Sequence, residues 1–153
     1  MKRLILLLTA LMMLTACSPN RTKTPFSPTL PQQLLETDAF SEPLEPLESD
    51  LVWMLYGLED AGLDRERLIS AGAARSTGAT CEEVALLSFT DEAIVQDAVN
   101  ILARYLSAQI EINKDYRPAE LPKLKQAILE QRGTTVLLLV ANDYQATHEL
   151  LTP

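Results

Sequence analysis

The sequence predicts a single α+β domain, in which about four antiparallel strands, paired as two hairpins, pack against one long amphipathic helix. Two observations indicate this class. Two short, strongly apolar segments each lie next to a weaker segment across a turn, which is typical of hairpins. Between these hairpins, apolar residues recur at three- and four-residue intervals over more than six turns, as in a helix that buries one face. An all-helical domain is the alternative.

The first predicted helix begins near Ser49, because Ser49 or Asp50 can accept hydrogen bonds from the free N–H groups of a first turn. Apolar residues then recur with helical spacing as far as Leu58, and Gly62 favours the end of the helix. The segment therefore predicts a short helix at the start of the folded part.

The first hairpin is predicted from residues 67–75 and 83–89, which are separated by small and turn-forming residues at 76–80. The run from Val84 to Phe89 is mostly apolar and is bounded by polar residues, which indicates a buried strand. Its partner strand is rich in alanine and carries the weaker pattern.

The long amphipathic helix is predicted from Asp91 to about Lys114. Thr90 is the expected N-cap, and Asp91 and Glu92 place negative charge at the positive end of the helix. The residues that recur at three- and four-residue intervals along one face are Ile94, Val95, Ala98, Ile101, Leu102, Tyr105, Leu106, Gln109 and Ile112.

Three further elements complete the predicted domain. The strongest strand pattern of the chain lies in the second hairpin, where six apolar or β-branched residues follow each other from Thr135. In chain order, the elements are a short helix from Pro122 to Gln126, a hairpin of residues 127–131 and 134–141 around Arg132-Gly133, and a helix capped by Asn142 or Asp143 that reaches about Leu151.

The N-terminus has the layout of a cleavable secretory signal. Two basic residues precede an apolar run of about eleven residues, whereas roughly 20 are needed to span a bilayer. The run ends in Leu14-Thr15-Ala16-Cys17, which resembles the lipobox of bacterial lipoproteins. This resemblance implies cleavage after Ala16 and attachment of lipid to Cys17, and two or three acyl chains would hold the protein on a membrane durably.

Residues 17–48 are predicted to form a lipidated N-terminus and a proline-rich tether. Six of the nine prolines and no glycine lie between Ser18 and Glu48, and proline interrupts both helices and strand ladders. The Glu-Pro-Leu repeat at 42–48 is a spacer or a docking peptide. The predicted organisation is therefore a signal peptide at 1–16, the tether at 17–48 and a globular domain at 49–153.

The net charge argues against a nucleic-acid-binding protein, and the cysteine content argues against a domain held by an intramolecular disulfide. Without the signal peptide, 11 basic residues remain against 21 acidic ones, a net charge of −10. Nucleic acids and anionic lipid head groups repel such a chain, so membrane attachment is expected to depend on the lipid alone. With Cys17 acylated, Cys81 has no partner for an intramolecular disulfide.

No catalytic, cofactor-binding or metal-binding residue is predicted. Cys81 and His148 are the candidates for a thiol nucleophile and its base, but Glu82 and Glu83 are expected to raise the pKa of the thiol. The same two carboxylates, together with Asp143 and His148, lack the spacing of a metal site.

A binding surface is the remaining candidate site. Trp53 and Tyr56 lie one turn apart on the first helix, and aromatic residues with a polar end favour recognition surfaces; core packing is the alternative. The candidate surface consists of Trp53, Tyr56, Glu82, Glu83, Tyr116 and Asp143.

Three motifs resemble a family of small lipoproteins of anaerobic, mainly Gram-positive bacteria, catalogued as domain of unknown function 4358. They are Ala79-Thr80-Cys81-Glu82-Glu83-Val84-Ala85, Tyr116 with Pro118, and Gly133 followed by Val136 to Val140 and Asp143. The resemblance covers roughly Leu55 to Leu150. Pro122 departs from it, because the family commonly has a polar or charged residue there. The resemblance implies a cell-surface lipoprotein and assigns no catalytic residue.

Two functional hypotheses follow. In the first, the chain is a non-enzymatic lipoprotein anchored to the outer face of the cytoplasmic membrane, where its acidic domain binds a protein or a small ligand. In the second, it is an envelope-acting hydrolase that uses carboxylates such as Glu82, Glu83 and Asp143. Convergence of these carboxylates in a cleft would favour the hydrolase.

Overall fold

A computed structural model of the protein describes residues 24–152. Within this range it contains both helices and an antiparallel set of strands. They are α1 (Leu30–Leu35), β1 (Glu45–Leu47), α2 (Ser49–Leu55), β2 (Leu68–Arg75), β3 (Glu83–Phe89), α3 (Glu92–Tyr116), α4 (Leu121–Lys125), β4 (Ile128–Arg132), β5 (Thr135–Val140) and α5 (His148–Leu151).

The strands form one antiparallel sheet with the order β1-β2-β3-β5-β4. Both predicted hairpins are present, β2–β3 and β4–β5, and β3 pairs with β5 at the centre of the sheet. The tight β4–β5 turn requires Gly133, whose φ of 50° lies in the left-handed region that other residues avoid. The α+β class and the two hairpins are confirmed, and β1 is an additional strand.

Each face of the sheet carries its own core, because side chains alternate along a strand. On one face, α2 and α3 cover alternate residues of β3 and β5, such as Leu87 and Leu138. On the other face, the chain from Phe26 to Ala39 and the C-terminal α5 cover the intervening residues, such as Leu86 and Leu137. The sheet is therefore the middle layer of three.

The predicted tether is wrong for residues 24–48, since this segment is folded onto the sheet. Phe26, Leu30 and Leu34 repeat every four residues and are buried, and Leu34 is fully inaccessible. Pro31 lies in the first turn of α1, where its missing N–H costs nothing. Pro46 lies in β1, an edge strand, where a proline is tolerated. The number of prolines predicts a tether, whereas the four-residue spacing of the buried apolar residues indicates a helix.

The predicted long helix is confirmed, with a corrected start. Asp91, rather than Thr90, is the N-cap of α3, because its Oδ1 accepts hydrogen bonds from the N–H groups of Ala93 at 3.1 Å and Ile94 at 3.3 Å. The helix continues to Tyr116, two residues beyond the predicted end.

The two ends of the sheet, the turn end and the Glu82 end, carry different groups. The turn end carries the β4–β5 turn, the end of β3 and the start of α3; there the Phe89 N–H donates to the Thr134 carbonyl at 2.9 Å. The Glu82 end carries the β2–β3 loop, the start of β3 and the segments around α4.

Candidate functional site

A buried carboxylate, Glu82, organises the Glu82 end of the sheet. Its side chain is fully inaccessible, and Lys123 Nζ of α4 lies 2.7 Å from Oε1. Ser41, in the segment before β1, donates its N–H to Oε2 at 2.8 Å and its hydroxyl to Oε1 at 2.5 Å. Three segments that are distant in sequence therefore meet on one carboxylate.

Glu120 extends this cluster to Cys81, the residue before Glu82. Lys123 Nζ lies 3.2 Å from Glu120 Oε1, and Glu120 Oε2 accepts the N–H of Cys81 at 2.9 Å. Burial favours the neutral amine of Lys123, but its hydrogen bonds to Glu82 and Glu120 together raise its pKa. Lys123 is therefore a permanent cation and cannot serve as a general base near neutral pH.

The β2–β3 loop closes around a second carboxylate, Glu42. Its Oε1 accepts hydrogen bonds from the hydroxyls of Ser76 and Thr80, the latter at 2.7 Å, and these bonds lower the pKa of Glu42. A Cβ on Gly78 would lie 2.6 Å from Glu42 Oε2, so a larger residue there would displace the Glu42 carboxylate from these hydrogen bonds. Glu42 thereby fixes the loop against the segment before β1.

Glu83 projects to the opposite face of the sheet from Glu82, as expected for adjacent residues of an extended chain. It is 2% exposed and its Oε2 accepts hydrogen bonds from Tyr105 of α3 at 3.0 Å and Tyr56 at the end of α2 at 3.4 Å. The two rings form an edge contact with centroids 4.9 Å apart. One carboxyl group thus joins α2 and α3 to the sheet.

Glu83 and the two tyrosines that contact it all have raised pKa values. Burial raises the pKa of Glu83 to about 7, although its cross-strand neighbour Arg75 and the two tyrosine hydroxyls oppose this shift. Burial and the negative charge of Glu83 in turn raise the pKa values of Tyr56 and Tyr105. Both phenols are therefore neutral donors at physiological pH.

A surface groove lies between α3 and the segment that follows α2. It consists of two open depressions of about 530 Å³ and 500 Å³ that share Ala61, Ile101 and Arg104. Tyr56 and Tyr105 line the second depression, so Glu83 lies behind the groove. Four carboxylates and two guanidinium groups line it: Asp60, Asp64, Asp91, Asp97, Arg67 and Arg104.

The groove combines exposed apolar surface with excess negative charge. Met54 lines it and is 59% exposed. Arg67 is paired with Asp91, whereas Asp60 and Asp97 make no ion pair within residues 24–152. A cationic partner with some apolar character fits these properties better than an anionic one does.

The predicted binding residues do not form one surface. Trp53 and Tyr56 are buried at 5% and 3% exposure, with Arg65 stacked over the Trp53 ring at 5.3 Å, so they are not an exposed pair. Tyr116 is 77% exposed at the end of α3. Asp143 is exposed and accepts the N–H of Gln145 at 2.8 Å, as a residue that caps a turn does.

The thiol and the imidazole lie on different faces of the sheet. Cys81 is buried in the core beneath α3, while His148 is exposed on α5. The pKa of Cys81 is raised, as expected, but burial is the main cause; among the carboxylates, Glu120 and Glu83 contribute, while Arg117 opposes them. Glu82 points away from the thiol, so its predicted contribution is wrong.

The described residues contain no group of three or more His, Cys, Asp and Glu side chains placed to hold a metal ion. In the same part of the chain, every buried side-chain nitrogen and oxygen has a hydrogen-bond partner. Residues 24–152 also contain no helix that is both long and apolar enough to cross a membrane. The predicted signal segment and Cys17 lie outside the described residues.

Several functional partners could not be found from the sequence. Ser41 and Lys123 each lie 41 positions from Glu82, and no local pattern connects them. Tyr105 was expected in the core, and it is half-buried with its hydroxyl on Glu83. The spacing of Asp97, Ile101 and Arg104 on one side of α3 was the available indication of a groove wall.

Comparison with known families gives one match. The family model described as domain of unknown function (DUF4358) matches residues 39–141, which include β1 to β5 and α2 to α4. Comparison with curated proteins and with solved structures gives no match.

Glu83→Gln is expected to flatten the dependence of stability on pH. A raised pKa means that the folded state holds the proton more tightly than the unfolded state. The free energy of unfolding of the wild type should therefore fall as pH rises from about 4.5 to about 7, by roughly 3 kcal/mol, and then level off. Urea unfolding between pH 4 and 8 measures this change.

The glutamine variant has no charge to bury, so it should be more stable than the wild type at pH 8. Glu45→Gln, at an exposed position of the sheet edge, serves as the control and should keep the wild-type pH dependence. An unchanged slope in Glu83→Gln would show that folding does not raise the pKa of Glu83.

Lys123→Met is expected to lower the free energy of unfolding by about 3 kcal/mol, because it leaves the buried Glu82 carboxylate without its cation. Lys125→Met, two residues along the same helix and exposed, should change stability by less than about 0.5 kcal/mol. Chemical denaturation at pH 7 compares them, and equal stabilities would mean that the ion pair contributes nothing net.

Proposed function

The chain belongs to the DUF4358 family, and from this premise we propose that it is a lipid-anchored extracytoplasmic protein that binds a cationic partner in the groove between α3 and the segment that follows α2. The observation that carries the binding role is the groove itself, whose two depressions are lined by exposed Met54, Asp60 and Asp97, and neither aspartate makes an ion pair within residues 24–152. The lipobox-like sequence before Cys17 supports the anchor.

The contacts made by the three candidate catalytic carboxylates support binding over catalysis. Glu82 is neutralised by Lys123, and Glu83 on the other face accepts hydrogen bonds from two tyrosines. Asp143 caps a turn at the surface. Glu82 and Glu83 therefore lie on opposite faces of the sheet, each engaged in contacts that hold the fold together, and this geometry supports a binding module over a hydrolase.

The partner is argued from charge and shape. An open groove that is mainly polar in its first depression and mixed in its second, with several acidic side chains and exposed Met54, accommodates a segment of a protein that carries lysine or arginine among apolar residues. Because the rim charges are exposed, they should contribute more to association rate and selectivity than to affinity, and salt should weaken the complex.

The anchor is tested by Cys17→Ala in the native host. Loss of the thiol removes the acylation site, so the variant should keep the unprocessed size and leave the detergent phase on partitioning. Cys81→Ala is the matched control, and processing and partitioning should match the wild type. If Cys17→Ala is processed and partitions like the wild type, the chain is not a lipoprotein.

The groove is tested with a fluorescent Lys-rich amphipathic peptide and its Glu-substituted counterpart, titrated with the protein in anisotropy measurements. The basic peptide should bind better, and Asp97→Asn should weaken its binding about 2- to 5-fold. Asp115→Asn removes the same charge at an exposed position outside the groove. Equal losses in the two variants would indicate unspecific attraction to an acidic protein and overturn the groove.

A further inference from the structure

The chain enters the described part of the structure at the turn end of the sheet. The Phe26 N–H donates to Thr135 Oγ1 at 3.0 Å, and Thr135 Oγ1 donates to the Arg132 carbonyl at 2.7 Å. The Arg132 guanidinium lies over the Phe26 ring, 4.2 Å from its centroid. One hydrogen bond and a cation–π contact therefore fix Phe26 to the β4–β5 turn, and the second hydrogen bond holds the accepting threonine within that turn.

Little chain separates Cys17 from Thr24, which lies two residues before the fixed residue Phe26. Six residues, 18–23, lie between Cys17 and Thr24. Fully extended, the seven steps from Cys17 to Thr24 measure about 25 Å, and a chain of this length without restraint averages about 15 Å between its ends. The α3 helix, with 25 residues, is about 37 Å long, so the link is shorter than the domain.

The composition of the link favours contact with a membrane. Its sequence, Ser18-Pro19-Asn20-Arg21-Thr22-Lys23, has two cations and no acidic residue, in a chain that is otherwise strongly acidic. Basic residues next to a lipid anchor are attracted to anionic head groups, whereas the acidic domain is repelled by them. The attraction favours a position of the link, and with it Thr24, next to the lipid surface, while the repulsion keeps the acidic domain from lying flat on it.

We propose that the turn end of the sheet faces an anionic lipid surface and that the Glu82 end, with Tyr116, points away from it. This inference rests on the proposed anchoring through Cys17. The link holds the β4–β5 turn near the head groups because the chain joins the domain there, whereas placing the Glu82 end there would require the link to run along the length of the sheet. The groove then opens sideways, with its Asp91 end nearer the membrane.

The orientation is tested with two dyes on one helix. Glu92→Cys at the start of α3 and Asp115→Cys at its end are both exposed and remove the same charge. Each is made in a Cys81→Ala background, labelled in the full-length lipidated protein and bound to phosphatidylcholine–phosphatidylglycerol vesicles with nitroxide head groups. The dye at position 92 should be quenched, and the dye at position 115 should not.

A 20-residue Gly/Ser insertion between Lys23 and Thr24 is the matched control, and the difference between the two dyes should disappear while the protein still sediments with the vesicles. Phe26→Ala should reduce the difference in the same way, and Arg21→Gln with Lys23→Gln should reduce it on phosphatidylglycerol-containing vesicles.

Two failures are distinguishable. If the protein sediments with the vesicles but both dyes are quenched equally, or the dye at position 115 more strongly, the orientation is overturned and the anchor stands. If the protein does not sediment with the vesicles, the anchor is overturned, and the orientation with it.

Discussion

The buried pair of Glu82 and Lys123 is the interaction on which the arrangement of the outer segments depends. A carboxylate without solvent access is tolerated only when cations and hydrogen-bond donors replace its water. Here the replacements come from the segment before β1 and from α4, and Tyr144 adds the C-terminal part by donating to the Lys123 carbonyl at 2.9 Å. Segments that contribute few residues to the sheet are thereby held against it.

The neighbouring residues Glu82 and Glu83 show how strand geometry separates similar groups. Alternation sends one carboxylate to the face covered by the N-terminal segment and the other to the face covered by α2 and α3. The first meets the cation of Lys123, while burial raises the pKa of the second against the opposing hydrogen bonds of two phenols. The Ala79–Ala85 motif, one of the three that carry the family resemblance, therefore supplies a buried carboxylate to each face of the sheet, and each carboxylate holds the segments that cover its face.

The regular elements were largely predictable because their causes are local. The stripe of α3, the turn at Gly133 and the apolar run of β5 all express preferences of adjacent residues, and each was found within a few positions. The segment from Phe26 to Leu47 was not, because its prolines suggested a spacer. Its helix and edge strand exist only where the sheet offers a surface and an edge, and a single segment does not reveal these.

For the candidate site, the sequence drew attention to Glu82 and Glu83 through a motif, and to Tyr56 through its place on α2. By itself it determined the local elements, the net charge, and the lipobox-like segment on which the proposed anchor rests. Only the tertiary structure decided that Glu82 pairs with Lys123, that Glu83 joins two tyrosines and that Asp60 and Asp97 share a groove. These partners lie far apart along the chain, and they meet because burial of both faces of the sheet brings their segments together.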